Sequence, residues 1–332
     1  MKPKTLYILN EGSFEKIYGP VEQAAIDEMC DVYAPVQTRQ SIAENPAILK
    51  DVEFIFSGWG GPLFDKSFLD NAPNLRAVFY GAGSIRAMMT PEFWARNITI
   101  TSSWCANAVP VSEVTLAEIL LSLKLAWRRI FTIKREKSYA NARYDCPGIY
   151  KSTVALISLG MIGRKVAKLL QNFDLKVIAY DQFAKQADAE ELGVELVSLE
   201  EAFKRADVVS LHTPWLKETE NMITEAHLRS MKQNATFINT SRGAIVDEPA
   251  LYKVLADRPD LTAVLDVTYP EPPPADSPLY TLENVVLTPH IAGSLSGECR
   301  RMGQYAIDEC RRYLKGEKLL YKVTQEMAEK MA

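Results

Sequence analysis

Short apolar runs alternate with segments of helical periodicity along most of the chain. Runs with the length and composition of buried strands lie at residues 5–9, 52–56, 77–80 and 98–101. Apolar residues at helical spacing between them predict helices, for example at residues 21–29 and 64–71. Strands that are apolar throughout and separated by helices are typical of a parallel sheet covered on both faces. The first part of the chain therefore predicts an α/β unit.

A long stretch at residues 111–139 is mainly helical in its pattern. Apolar residues such as Leu116, Ile119 and Leu123 go nearly round its first half. This pattern predicts a helix buried between domains or subunits. Residues 141–150 contain a proline and a glycine and predict an irregular loop.

The segment from residue 153 to Asp181 organises the second part of the chain. An apolar run is followed by a small-residue turn, a helical pattern and a second apolar run that ends on Asp181. Strand, tight turn, helix and strand in about thirty residues form the βαβ unit that binds dinucleotides. Glycines let the backbone approach a pyrophosphate, and the helix N-terminus offers it unpaired N–H groups. The turn residues assigned to cofactor binding are Ser158, Gly160, Met161, Ile162 and Gly163.

Asp181 decides which cofactor the segment predicts. Its carboxylate can accept hydrogen bonds from both ribose hydroxyls and would repel a 2′-phosphate. Residues 182–184 supply no arginine to hold such a phosphate. The sequence therefore predicts NAD rather than NADP.

The turn departs from the usual glycine-rich pattern at its first position, which Ser158 occupies. Because serine carries a Cβ, the turn is expected to be either slightly strained or slightly reshaped. A βα turn in another kind of α/β protein is the alternative interpretation of this segment. The flanking strand, helix and acid favour the dinucleotide interpretation.

The alternation continues after Asp181. Strands are predicted at residues 208–211, 236–238, 263–265 and 285–287, and helices at residues 199–204, 224–231, 249–256 and 297–314. With the strands that flank the glycine turn, this makes about six strands, the size of a complete dinucleotide-binding domain. Ser198 and Glu201 have the spacing of a capping box for the first of these helices. The tail at residues 315–332 is expected to pack on the first unit.

Composition narrows the class of protein. Hydrophobic content of 47% and charged content of 24% are ordinary for a soluble globular protein. The net charge of −4 gives no reason to expect nucleic acid or an anionic membrane as a partner. No apolar run approaches the length needed to span a bilayer, and the N-terminus shows no signal-peptide pattern. The five cysteines, without a CxxC pair, predict reduced thiols in a cytoplasmic protein with no metal site or disulfide framework.

Polar residues follow the predicted strands at their carboxyl ends, where open α/β sheets bind ligands. Arg242, Asp266, Glu271 and His290 hold such positions. They are therefore expected to converge near a cofactor. Each has an ordinary alternative. Arg242 can cap a helix or pair with an acid, Glu271 can be a solvated loop acid, and His290 can be structural.

Two loops of the first unit also follow strands, at residues 57–62 and 81–84. Both are rich in glycine and are candidates for ligand binding, with tight turns as the alternative. The remaining histidines, His212 and His227, are more simply explained as structural or surface residues.

Together these segments resemble the D-2-hydroxyacid dehydrogenase family, which includes phosphoglycerate, glycerate and D-lactate dehydrogenases. The resemblance covers nearly the whole chain, and several motifs in the right order are far more specific than the glycine turn alone. The matching segments are residues 81–83, 106–108, 112–113, 158–163 with Asp181, 211–214 with 218–219, 239–243 with 247–248 and Leu251, 265–267 with 271–272, and 288–293.

The resemblance implies an α/β architecture of two doubly wound parallel-sheet domains. A flavodoxin-like, discontinuous substrate domain would comprise residues 1–101 and a C-terminal return at residues 295–332. A Rossmann NAD-binding domain would be inserted at residues 102–294, with a crevice between the domains. The implied protein is a cytoplasmic homodimer that interconverts a small D-2-hydroxy acid and its 2-keto acid with NAD.

The resemblance also implies roles for individual residues. In the reducing direction, His290 as imidazolium would protonate the developing alkoxide, and Glu271 would stabilise that charge and orient the ring. Arg242 would bind the substrate carboxylate and polarise the keto oxygen. Further contacts to the cofactor are implied for His212, Thr213, Pro214, Thr240, Ser241 and Asp266, and substrate contacts for Trp59, Gly81, Ala82 and Gly83.

Two departures bear on the substrate. The loop at residues 57–62 carries Trp59 and no Arg or Lys, whereas the phosphoglycerate enzymes favour basic residues around their substrate phosphate. The sequence thus disfavours 3-phosphoglycerate, and Trp59 suggests an apolar or sugar-like substrate tail. Glu271 argues against the formate dehydrogenase branch, which pairs its His with Gln.

Two other classes of protein remain as alternatives. The first is a non-enzymatic NAD(H)-sensing corepressor, because some members of the superfamily act in this way with a similar trio. The second is an α/β enzyme that uses NAD without net hydride transfer to a hydroxy acid.

Overall fold

The computed structural model describes residues 1–140 and 145–331. The chain divides into two compact units. The first comprises Met1–Asn107 and Ser294–Met331, and the second comprises Ala108–Gly293. The irregular loop predicted at residues 141–150 lies in part outside the described residues.

The first unit is built on a parallel sheet of five strands in the described chain. Its strands are β1 (Lys4–Ile8), β2 (Asp31–Val32), β3 (Phe54–Ser57), β4 (Ala77–Tyr80) and β5 (Thr99–Ser102). Their spatial order is β2-β1-β3-β4-β5, the flavodoxin-like order. The helices are α1 (Glu11–Ile17), α2 (Pro20–Met29), α3 (Arg39–Glu44), α4 (Lys66–Asn71) and α5 (Pro91–Ala95), with α13 (Cys299–Leu314) and α14 (Gln325–Lys330) from the C-terminal part.

The second unit contains a parallel sheet of seven strands among the described residues. They are β6 (Thr153–Ile157), β7 (Lys176–Tyr180), β8 (Glu195–Leu196), β9 (Val208–Leu211), β10 (Thr236–Asn239), β11 (Thr262–Leu265) and β12 (Val285–Leu287). The order β12-β11-β10-β9-β6-β7-β8 is the doubly wound order of a dinucleotide-binding sheet with one strand added at the β12 edge. Its helices are α7 (Ala126–Glu136), α8 (Met161–Leu170), α9 (Gln186–Glu191), α10 (Leu199–Arg205), α11 (Glu225–Ser230) and α12 (Glu248–Asp257).

The predicted fold class is thus confirmed. Two strands that the sequence did not predict, β2 and β8, are each only two residues long. A run this short has no periodicity to detect.

The helix α6 (Trp104–Leu123) differs from expectation. It begins well before residue 111 and carries Pro110 inside, whereas proline usually occupies the first turn of a helix. By length and composition alone α6 could cross a membrane, so the expectation that no apolar run approaches that length is wrong. Its apolar window is 56% buried, and core helices of soluble proteins meet the same criterion. Leu125, at φ +50°, separates α6 from α7.

Alternate residues of each central strand pack on opposite faces of its sheet. On β3, Ile55 joins one apolar cluster of the first unit, while Phe54 and Phe56 join the other. On β6, Ala155 and Ile157 join one cluster of the second unit, and Val154 and Leu156 join the other. Because both faces are covered, loops at the carboxyl edges of the sheets are left to carry polar side chains.

The tail of the chain is hydrogen-bonded to β5. Val323 N–H donates to the carbonyl of Ile100 at 2.9 Å, and Ser102 N–H donates to the carbonyl of Tyr321 at 3.1 Å. The buried carboxylate of Glu309 accepts from the N–H groups of Leu320 and Tyr321. These bonds fix the tail within the first unit.

Candidate active site

The turn after β6 has little room for side chains. Ser158 has φ +83°, in the left-handed region that favours glycine. A Cβ on Gly163 would lie 2.1 Å from the carbonyl oxygen of Ser158, so only glycine lets α8 approach the turn this closely. Of the two expectations for Ser158, the structure therefore shows a strained backbone. Gly160 precedes α8 without a side-chain cap, which leaves N–H groups of the first turn open to an anion.

Asp181 fastens this turn to the end of β7. Its Oδ2 accepts from Leu159 N–H at 2.7 Å and from Ser158 Oγ at 3.2 Å. Its Oδ1 accepts from the N–H groups of Phe183 and Ala184, each at 2.7 Å. A carboxylate has about four acceptor sites. Those of Asp181 are accordingly occupied by the protein itself.

His212 lies beside the glycine turn, and burial lowers its pKa to about 3. Its Nε2 contacts Ser210 Oγ at 3.0 Å, while its buried Nδ1 meets no partner in the described chain. A neutral ring with one unused nitrogen can accept or donate one further hydrogen bond. Thr213 Oγ1 donates to the carbonyl of Ile157 at 3.3 Å, which holds the segment against β6.

These features fit NAD. The absence of a side chain at Gly163 lets α8 pack closely against the turn. The uncapped N-terminus of α8 suits a pyrophosphate. The nitrogen of His212 that has no partner in the described chain lies beside them. Asp181 stands where ribose hydroxyls are expected, with Ser158 Oγ as the weakest of its present donors. By contrast, Thr224 and its N–H contact Nδ1 of His227, which has a structural role at the start of α11.

The loop after β10 is folded by the side chain of Asn239. Its Oδ1 accepts from Ser241 N–H at 3.0 Å and Ser241 Oγ at 2.9 Å, and its Nδ2 donates to the carbonyl of Arg242 at 3.0 Å. Thr240 Oγ1 contacts Thr115 Oγ1 at 3.1 Å. This loop thereby directs the Arg242 side chain, whose Nη1 donates to the carbonyl of Ser241 at 2.6 Å.

Asp266, 2% exposed, holds the loop that follows β12. Its carboxylate accepts from Thr288 Oγ1 at 2.6 Å, Ile291 N–H at 2.7 Å and Ala292 N–H at 2.9 Å. His290 lies inside this loop with φ +54°, an unfavourable conformation for a non-glycine residue. The loop bonds maintain that conformation.

The three residues predicted to carry the chemistry lie together. Glu271 Oε1 is 2.7 Å from His290 Nδ1, and both side chains are partly exposed, at 42% and 45%. Removal from water lowers the pKa of Arg242, and the negative charge of Glu271 opposes that change. The Glu271 carboxylate thus contacts His290, and its charge also acts on Arg242.

Two residues that support this trio were not singled out from the sequence. A Cβ on Gly243 would lie 2.0 Å from the carbonyl carbon of Thr268. The buried Glu248 accepts from Tyr269 N–H at 2.6 Å and from the hydroxyl of Tyr252. Both contacts fix the segment that leads to Glu271. Their only sequence signal was membership of the family-like segments at residues 239–243 and 247–248.

In the first unit, the loop after β4 directs its carbonyls inwards. Ser102 Oγ donates to the carbonyls of Ala82, at 3.0 Å, and Gly83. The N–H groups of Ala82, Gly83 and Ser84 meet no acceptor among the described residues. Unpaired backbone donors of this kind can bind an anion. Trp59, on the neighbouring loop, is 36% exposed.

The second unit has the sheet order, glycine turn and helix N-terminus of a dinucleotide-binding oxidoreductase. The sequence pattern described as "D-isomer specific 2-hydroxyacid dehydrogenase, NAD binding domain" matches residues 119–292. The chain belongs to the D-isomer-specific 2-hydroxyacid dehydrogenase family. It is an NAD-dependent 2-hydroxyacid dehydrogenase, which confirms the predicted class of enzyme and cofactor.

Individual relatives show the extent of the likeness. The chain is 35% identical over 281 residues to a glyoxylate reductase of Korarchaeum cryptofilum, covering 81% of this chain and 82% of the relative. It is 36% identical over 258 residues to a D-3-phosphoglycerate dehydrogenase of Methanocaldococcus jannaschii, covering 77% of this chain and 49% of that protein. It thus spans about half the length of this second relative.

The fold also matches a solved structure, the holo form of D-mandelate dehydrogenase from Rhodotorula graminis. The TM-score is 0.83 at 22% identity, covering 98% of each chain. This likeness supports the two-unit α/β fold. The curated relatives are named as reductases and dehydrogenases, and they do not favour the NAD-sensing corepressor alternative.

Proposed function

We propose that this dehydrogenase reduces a 2-keto acid to a D-2-hydroxy acid and that Arg242, Glu271 and His290 carry the reaction. The observation that supports the assignment is the 2.7 Å contact between Glu271 Oε1 and His290 Nδ1, with the charge of Glu271 acting on Arg242 as well. One acid thereby orients the proton donor and interacts with the group that binds substrate.

The proton transfer follows from which histidine nitrogen is occupied. Because Nδ1 of His290 bonds to Glu271, Nε2 is the nitrogen that can protonate the substrate oxygen. NADH, held at the glycine turn and the N-terminus of α8, would supply the hydride that reduces the keto carbon. Arg242 binds the carboxylate and places positive charge beside the oxygen on which negative charge develops.

The same proposal assigns roles to the two units and to the whole chain. The unit with the glycine turn binds NAD, and the first unit binds substrate through the free N–H groups of Ala82, Gly83 and Ser84. The cysteines of the described chain form no disulfide, in keeping with a cytoplasmic enzyme. Exposed apolar side chains along α6 and α7, including Leu121, Ile130 and Phe131, support a homodimer. Light scattering measures that state directly.

Turnover by single variants tests the trio. His290→Ala and Arg242→Ala are each expected to lose about 10²- to 10⁴-fold in kcat/KM, the usual range for a proton donor or an electrostatic stabiliser. Binding of NADH, followed by its fluorescence, is expected to persist. The assay is NADH oxidation with a panel of 2-keto acids, including glyoxylate, hydroxypyruvate, pyruvate and phenylpyruvate.

Arg205→Ala is the matched control, because Arg205 forms a surface ion pair with Glu195 in the same unit. It is expected to keep the wild-type rate. Near-wild-type turnover by His290→Ala or Arg242→Ala would refute the assigned roles.

A further inference from the structure

The carboxyl edge of the first sheet carries a guanidinium that the sequence did not reveal. Arg39 is the first residue of α3, and the backbone just before it is joined to β1. Gln37 N–H donates to the carbonyl of Tyr7 at 2.8 Å, and Leu9 N–H donates to the carbonyl of Gln37 at 3.0 Å. Nε of Arg39 then donates to the carbonyl of Gly61 at 2.5 Å. The guanidinium therefore lies against the loop at residues 57–62.

This loop is held from its other side by Asn10. The N–H of Asn10 donates to the carbonyl of Trp59 at 3.0 Å. A Cβ on Gly60 would lie 2.1 Å from the Asn10 side chain, and Gly60 itself has φ +81°. Trp59 and the Arg39 guanidinium are consequently presented from a fixed backbone.

Arg39 is exposed, and most of its N–H donors are not bonded to protein groups among the described residues. A guanidinium has five N–H donors, and only Nε of Arg39 has a partner among the described residues. No acid in the described chain forms an ion pair with it. Ser57, at the end of β3, pairs with Tyr80, the last residue of β4. The loop that Arg39 contacts therefore begins beside the strand end that directly precedes the loop at residues 81–84.

We propose that Arg39 recognises a second anionic group, a carboxylate or a phosphate, on the part of the substrate remote from its keto acid. The inference rests on the proposed function, because it takes the loop at residues 81–84 as the site of the keto-acid carboxylate. That loop offers free N–H groups to one anion. The two Nη groups of Arg39 suit bidentate binding of another.

This proposal revises the expectation drawn from the sequence of the loop at residues 57–62. That loop has no basic residue of its own. The guanidinium comes from α3, a different element, and reaches the loop through the Gly61 carbonyl. The absence of a basic residue in the loop itself therefore no longer disfavours a phosphorylated substrate.

The test compares substrates that differ only in the remote group. With NADH, kcat/KM is measured for 2-oxoglutarate against 5-methyl-2-oxohexanoate, its neutral isostere, and for phosphohydroxypyruvate against hydroxypyruvate. The two pairs separate a carboxylate from a phosphate. Charge-assisted hydrogen bonds are strong enough for about a ten- to hundred-fold preference for the anion in at least one pair. Arg39→Gln is expected to remove most of that preference, and Arg39→Lys to restore part of it.

Arg76→Gln is the matched control. Arg76 pairs with Glu53 just before β4, at the opposite edge of the same sheet. It is expected to keep the wild-type preference. A purely structural role for Arg39 would lower the rates of both members of a pair and leave their ratio unchanged.

The outcomes separate this inference from the proposed function. Turnover of 2-keto acids without preference for either anion, or a preference that survives Arg39→Gln, overturns the inference alone. Absence of turnover with any 2-keto acid overturns the proposed function, and the inference with it.

Discussion

Ser158 offers a direct measurement of strain in the glycine turn. At φ +83° a side chain costs about 1–2 kcal/mol. Glycine removes this cost, but the greater backbone entropy of glycine in the unfolded chain lowers the stability of the fold by about 0.5–1 kcal/mol. Ser158→Gly and Ser158→Ala both lose the hydroxyl that donates to Asp181, and only glycine relieves the strain. The glycine variant is therefore expected to be about 1 kcal/mol more stable than the alanine variant.

Wild type is expected to lie close to the glycine variant. Ser158→Ala keeps the strain and loses a hydrogen bond of about 0.5–1.5 kcal/mol, which makes it the least stable of the three. For a domain of this size, a difference of 1 kcal/mol corresponds to about 2–4 °C in Tm. Thermal denaturation followed by circular dichroism gives the order. An alanine variant as stable as the glycine variant would refute the claim that Ser158 is strained.

The same variants report on cofactor binding. Loss of the Ser158 hydroxyl frees one acceptor site on Oδ2 of Asp181, and the relaxed turn leaves it open to a ribose hydroxyl. Ser158→Gly is expected to bind NADH about three- to ten-fold more tightly, the worth of one hydrogen bond. Fluorescence titration measures Kd. An unchanged Kd would show that Ser158 does not limit affinity.

Two further substitutions test buried features of the second unit. Gly243→Ala places a Cβ 2.0 Å from the Thr268 backbone, so we expect a lower Tm and at least a ten-fold loss of turnover. Gly297→Ala is the control, because a Cβ there meets nothing within 4 Å. It should change neither the Tm nor the turnover. Burial, together with the charge of Asp266, raises the pKa of Glu118 from 4.5 to about 8. Because burial disfavours the ionised carboxylate, the folded state is most stable below pH 4.5, where Glu118 is protonated in both the folded and the unfolded chain. This stability is lost as the pH rises from 4.5 to about 8. Glu118→Gln should therefore remove a pH-dependent loss of stability on the order of 5 kcal/mol, which makes its profile of Tm between pH 5 and 8.5 flatter than that of wild type. Glu113→Gln, on the exposed side of the same helix, is the control and should keep the wild-type profile. A Glu118→Gln profile that matches wild type or this control would contradict the prediction.

The sequence predicted the strands that are buried on both faces because their apolar runs are long enough to recognise. It missed β2 and β8, which pair over two residues and depend on their neighbours for their existence. It also placed the start of the long helical stretch at residue 111, whereas α6 begins at Trp104 and contains Pro110.

In the candidate site, too, local sequence patterns indicate some residues, whereas others are revealed only by long-range contacts. The location of Arg242, Glu271 and His290 after strand ends was predictable, since parallel strands bring their carboxyl ends to one edge. Their roles stay a prediction. The residues that hold them act across long separations. Glu248 bonds to Tyr269, and Arg39 bonds to Gly61. No local pattern encodes such contacts, and they emerge only from the folded chain.

The bonds made by Asp266 affect how mutational data on this enzyme should be interpreted. Its carboxylate accepts three hydrogen bonds from the loop that contains His290. A scan scored by activity alone would rank Asp266 with His290, although their effects arise differently. Under the proposed mechanism, substituting His290 removes the proton donor from an intact loop, whereas substituting Asp266 releases the loop and leaves the donor present but misplaced. In the second case a tightly bound substrate can recover part of the lost rate by ordering the loop, and in the first it cannot.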